Sequence, residues 1–226
     1  MSDAEPSLAT IEARTHGRYL VRPPRTPGPW PLLVGFHGYA EAASDHMEAL
    51  QTIPGADQWL LVSVQALHPF YTRKDRVVAS WMTRDDRELA IGDNVDYVGR
   101  VLARVRADYP ASPTLVFSGF SQGGAMAYRA AVNYPANGLI VLAADVPPDI
   151  VERRGAVPLP AMLLGRGTRD DWYTEEKLAG DRAALARLDA RVEVCVFDGG
   201  HEWTDVFRAA AAAFLHRVSQ EKHGRS

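Results

Sequence analysis

The chain has 226 residues, 46% of them apolar and 23% charged, enough to bury the core of one α/β domain or two small ones. A formal charge of -3 offers no basic face for a nucleic acid, and the single cysteine, Cys195, excludes an intramolecular disulfide and a cysteine-built metal cage. The acidic start "MSDAEPSLAT" lacks the basic and apolar regions of a signal peptide, and no apolar run approaches bilayer length, so a cytoplasmic location is expected.

Residues 1–10 and the polar stretch 219–226 read as loose ends. Between them, short aliphatic runs alternate with helical patterns, with no internal repeat. "RYLVR" (18–22) predicts a first strand. The continuous apolar run "LLVGF" (32–36) predicts a strand buried on both faces, "WLLVSV" (59–64) predicts the next buried strand, and a helix is expected over 42–52 between them. Residues 66–86 break this rhythm and read as a long irregular loop. Asp85 and Glu88 stand at capping-box spacing ahead of a helix over 87–107. Strand "TLVFSGF" (114–120), helix 121–134 and strand "GLIVLAA" (138–144) follow. After them come strand "AMLLGRG" (161–167), helix 173–189 and strand "VEVCVF" (192–197). In the last helix Trp203, Val206, Phe207, Ala210, Ala211, Phe214, Leu215 and Val218 recur at steps of three and four, one apolar face for packing on a sheet.

Strand and helix in alternation imply a mainly parallel sheet with helices on both faces, whose active groups gather beyond the carboxyl ends of strands. "GFSQGG" (119–124) lies at such an end, and Gly-x-Ser-x-Gly on a strand–turn–helix junction would hold the Ser121 hydroxyl out of the sheet as a nucleophile. The bland alternative for Ser121 is a helix N-cap. A serine nucleophile needs a general base. Of seven histidines, His201 in "DGGH" directly follows the 192–197 strand, where two glycines let a loop reach over the sheet, and its place after the serine fits a base. The imidazole in turn needs a carboxylate, and "RGTRDD" after the 161–167 strand offers Asp170 and Asp171, with Asp145 a third candidate. Asp170 is preferred because Gly165, Gly167 and Thr168 form the turn that would aim it inward.

The resulting order Ser121, Asp170, His201 is that of α/β-hydrolases. Oxyanion donors are expected from the backbone N–H of Gln122 and, in the loop "FHGYAE", from that of Tyr39, with His37 bracing the loop. Phe70, Trp81 and Met82 of the long loop, with Tyr39 and Trp172, offer apolar walls for a substrate. Charges over 73–88 nearly cancel, which favours a solvated surface over an anion site.

"FHGYAE", "GFSQGGAMA", "GTRDDWY" and "GGH" together resemble the phospholipase/carboxylesterase family of α/β-hydrolases, which includes acyl-protein thioesterases and is similar to dienelactone hydrolases. The resemblance spans residues 18–216. It implies one α/β-hydrolase domain over 11–218 without a separate cap, working as a serine esterase with no metal or cofactor. The expected substrate is a small-molecule ester or thioester of short to medium acyl length. Arg166 departs from the histidine that relatives often carry there, and Ser121 replaces the cysteine nucleophile of dienelactone hydrolases. An amide hydrolase on the same fold and a catalytically silent binding protein are the competing readings.

Overall fold

The computed structural model describes residues 7–152 and 159–220. The expected loose ends therefore lie, for residues 1–6 and 221–226, outside the described residues. Seven strands form one sheet: β1 (Tyr19–Arg22), β2 (Trp30–Phe36), β3 (Leu60–Val64), β6 (Ala111–Phe120), β7 (Gly138–Leu142), β8 (Ala161–Gly167) and β9 (Val192–Phe197). Their order is β1-β3-β2-β6-β7-β8-β9; β1 runs antiparallel to β3, and every other pairing is parallel.

The helices are α1 (Ala43–Gln51), α2 (Arg87–Asp108), α3 (Gln122–Asn133), the single turn α4 (Pro148–Val151), α5 (Glu175–Ala186) and α6 (Asp205–Gln220). α1 and α6 cover one face, where His46 of α1 lies against Gly35 and Phe214 of α6 against Gly138. α3 packs on the other face against β6 and β7, with α2 beside it. Coverage from both sides explains why β3, with only Ser63 polar, and β7 are apolar along their length and buried at every residue.

Three local expectations need correction. Residues 66–86 are not irregular: β4 (His68–Tyr71) and β5 (Val77–Ser80) form an antiparallel hairpin. Strands this short, carrying Pro69 and exposed polar neighbours, present no clear alternation, so periodicity missed them. The capping box at Asp85 does not form. Asp86 occupies the N-cap in a left-handed conformation without a side-chain cap bond. In α6, Phe207, Ala211, Phe214, Leu215 and Val218 are buried, whereas Val206 is exposed, and the helix runs on to Gln220, inside the expected tail.

Cys195 is only half-buried, because β9 is the edge strand. No helix among the described residues is long and apolar enough to cross a membrane.

Candidate active site

Ser121 stands between the end of β6 and the start of α3 with φ 52° and ψ -123°, a positive φ that non-glycine residues adopt at a cost of order 1–3 kcal/mol. The turn is held by the Ser121 N–H donating to the Leu142 carbonyl (3.0 Å) and by the Gly124 N–H donating to the Ser121 carbonyl (2.8 Å). Ser121 occupies the N-cap position of α3, but its hydroxyl forms no cap bond to the helix. Close packing enforces the shape. A Cβ on Gly119 would stand 2.3 Å from the Gly123 carbonyl oxygen, and one on Gly123 would stand 2.1 Å from the Phe36 carbonyl oxygen.

Asp170 and His201 meet across the neighbouring strand ends. The Asp170 Oδ2 to His201 Nδ1 distance is 2.9 Å, and the carboxylate is completely buried. Its other oxygen, Oδ1, accepts from the Trp172 N–H (2.9 Å) and the Tyr173 N–H (2.8 Å). An ionised carboxylate so supplied accepts the Nδ1 proton of a neutral imidazole, which leaves Nε2 with a free lone pair. The His201 ring lies 4.9 Å from that of Phe120, the residue before Ser121, so the histidine loop folds back onto the β6–α3 turn. Asp145 and Asp171 are placed elsewhere. Asp145 pairs with Lys177 (3.6 Å), Asp171 is exposed, and the α5 cap is Thr174, whose hydroxyl accepts from the Lys177 N–H.

The loop after β2 is braced at almost every polar group. His37 is fully buried and kept neutral, its pKa lowered chiefly by desolvation. Its Nε2 accepts from the Ala66 N–H (3.1 Å), so Nδ1 carries the proton and donates to the Gly38 carbonyl (2.7 Å). The Gly38 N–H donates to Glu41 Oε2 (2.7 Å), the Ala40 N–H to the Ala79 carbonyl (3.1 Å), and the Glu41 N–H to the Gly38 carbonyl (3.3 Å). Among the described residues, no acceptor serves the Tyr39 or the Gln122 amide. Partial burial raises the Glu41 pKa, against the Gly38 hydrogen bond, which lowers it.

The expected substrate walls divide. Tyr39 and Trp172 are exposed, at 60% and 63%, and Phe70 packs its ring 5.6 Å from that of Tyr39. Lys177 sits 4.6 Å over the Trp172 ring. Trp81 and Met82 do not line a cleft: Trp81 has no exposed surface and Met82 is 6% exposed. Trp81 packs edge-on to Phe36 (5.4 Å) and donates from Nε1 to the His37 carbonyl (2.8 Å), while Met82 Sδ lies 3.5 Å from Arg129 Nη1. Their place just after β5 turns them inward beneath the loop after β2.

Sequence reasoning missed Glu41, Phe120, Tyr173 and the Gln122 side chain. Glu41, three residues beyond Gly38, is the one with a visible spacing signal. Among the described residues no cluster of His, Cys, Asp or Glu is placed to hold a metal ion.

Neither a family model nor a curated protein matches the sequence. Solved structures do match in three dimensions. The Bacillus cereus carboxylesterase superposes with a TM-score of 0.71 at 16% identity, covering 89% of this chain and 94% of that one. Esterase PE8 gives 0.71 at 21% identity, covering 90% and 100%, and Zea mays acyl-protein thioesterase 2 gives 0.67 at 19%, covering 90% and 99%. Strand order, the turn at Ser121 and these superpositions over nearly whole chains make this an α/β-hydrolase fold, with no separate cap among the described residues.

Proposed function

We propose that the chain is a serine hydrolase of carboxylic esters or thioesters, acting through an acyl-enzyme on Ser121. The observation that carries this reading is the buried Asp170 hydrogen-bonded to His201, whose ring rests on Phe120 beside the positive-φ turn at Ser121. The likeness in fold to structures named as carboxylesterase, esterase and acyl-protein thioesterase supports the substrate class.

In the proposed reaction His201 Nε2 takes the Ser121 hydroxyl proton as Oγ bonds to the substrate carbonyl carbon. The carbonyl oxygen becomes an oxyanion held by the Tyr39 and Gln122 amides, the two left without acceptors. Collapse breaks the bond to the alkoxide or thiolate, which leaves with the proton from His201. Water, deprotonated by His201, then attacks the acyl carbon, and the acid departs as Ser121 recovers its proton. Asp170 holds the imidazole in the required tautomer and stabilises its cationic form. Exposed Tyr39 and Trp172 at an uncapped site suit a short to medium acyl group.

The test is hydrolysis of a chromogenic short-chain ester by Ser121→Ala. Turnover is expected to fall by at least about 1,000-fold, since the residual catalysis of such sites comes only from binding and the oxyanion donors. Activity within tenfold of the parent would overturn the assignment.

A further inference from the structure

Two unpaired amides make an oxyanion hole only if they stay at a fixed distance, yet they belong to different elements. Tyr39 lies in the loop after β2, and Gln122 opens α3. One buried unit joins them. The Gln122 side chain reaches the end of β5, where its Oε1 accepts from the Trp81 N–H (2.9 Å) and its Nε2 donates to the Met82 carbonyl (3.0 Å). From the same Trp81, the indole Nε1–H donates to the His37 carbonyl (2.8 Å), two residues before Tyr39. Asn94 of α2 donates to the Trp81 carbonyl (2.9 Å), and the Ser80 hydroxyl donates to the Met82 carbonyl (2.9 Å), so the connecting segment is itself pinned. Every link is buried or half-buried, where a hydrogen bond meets little competition from water.

Building on the serine-esterase reading, we infer that Trp81 and Gln122 are positioning residues that hold the two oxyanion amides in register. Trp81 touches neither serine nor base; it acts through the His37 carbonyl on one donor and through the Gln122 side chain on the other. The 66–86 segment then contributes to the transition state as well as bordering the substrate.

Trp81→Phe and Gln122→Ala test this, with rates normalised to the fraction of sites that a fluorophosphonate titrates. Trp81→Phe keeps a ring against Phe36 but removes the Nε1–H bond and, at this fully buried site, part of the indole's volume, so the rate per titrated site is what separates lost positioning from lost folding. Each variant should lose about 10- to 100-fold in kcat per titrated site with KM within about threefold, since small misplacements of catalytic groups cost on this scale. Affinity for a trifluoromethyl ketone, whose hemiketal oxygen occupies the oxyanion position, should fall in parallel with kcat/KM. An unchanged kcat per titrated site in Trp81→Phe overturns the inference, even if Gln122→Ala fails to fold. So does a kcat loss without any loss of ketone affinity. Absence of fluorophosphonate labelling in the parent, by contrast, would overturn the serine-esterase reading itself.

Discussion

At the scale of single residues, Asp170 concentrates the most consequences. Three donors converge on one buried carboxylate: the Trp172 and Tyr173 amides and the His201 imidazole. Asp170→Asn keeps the size but turns an NH2 or a weaker acceptor toward His201 Nδ1, so the imidazole loses the tautomer that leaves Nε2 free. On the proposed mechanism, ester turnover should fall by about 10,000-fold, the cost of this replacement in a Ser-His-Asp triad, while circular dichroism stays that of the parent. Glu41 illustrates a different residue-level role. Its carboxylate occupies the Gly38 amide, which leaves the Tyr39 amide without a competitor inside the loop. Asp170 was legible in the sequence because a turn rich in glycine follows an apolar strand. The same glycines favour Asp170 over its neighbour Asp171, which the folded turn leaves exposed.

At the scale of elements, the decisive contact is α3 on the end of β2. A methyl group at Gly123 would meet the Phe36 and His37 carbonyl oxygens at 2.1 and 2.4 Å, and backbone atoms cannot swing aside as a side chain can. Gly123→Ala should therefore destabilise the fold by about 1–3 kcal/mol, in the range of overpacked cores, and on the proposed mechanism depress turnover further by parting the Tyr39 and Gln122 amides. Thermal melting and ester kinetics on the same sample check both effects. Gly92 is the contrast: it sits inside α2 with open space where a Cβ would go. Gly92→Ala should raise stability by about 0.5–1 kcal/mol through helix propensity alone, with turnover unchanged. Helices and buried strands were readable because their apolar spacing is dictated by burial. The β4–β5 hairpin was not, since its four-residue strands lie outside the main sheet and gain order from Glu41 pairing with Ala79 and from Trp81 packing inward.

Over the whole molecule, two groups far apart in sequence set opposing responses to acid. His46, completely buried against Trp203, has a pKa lowered from 6.5 to about 3 by desolvation, then by His37. As pH falls below 6.5 the unfolded chain takes up this proton and the folded one does not, so stability drops down to about pH 3. Asp181 works in the other direction. Desolvation raises its pKa from 3.8 to about 6, against the lowering hydrogen bonds from Tyr173 and Val146; Asp145 raises it and Lys177 lowers it. Its contribution is fully present below 3.8 and is lost as pH rises through 6. Between pH 6 and 4 the two slopes therefore oppose. Asp181→Asn keeps an acceptor for the Tyr173 hydroxyl but removes the compensating slope, so its melting temperature should fall more steeply than the parent's over that window. A parallel pair of Tm-against-pH curves would contradict the assignment.

By itself, the sequence determined the alternating strand–helix order, the sharp turn at Ser121, and the strand ends bearing Asp170 and His201. These are local properties: apolar period, glycine at tight turns, and the place of polar residues just past a buried strand. Only the tertiary structure decided that Trp81 and Met82 are buried, that the Gln122 side chain clasps the Ser80–Met82 segment, and that Phe120 meets His201. An aromatic residue in a loop carries no periodic mark of the direction it faces. Burial there depends on which distant backbone carbonyl is free to take its N–H, and for Trp81 that carbonyl belongs to His37, 44 positions earlier in the chain.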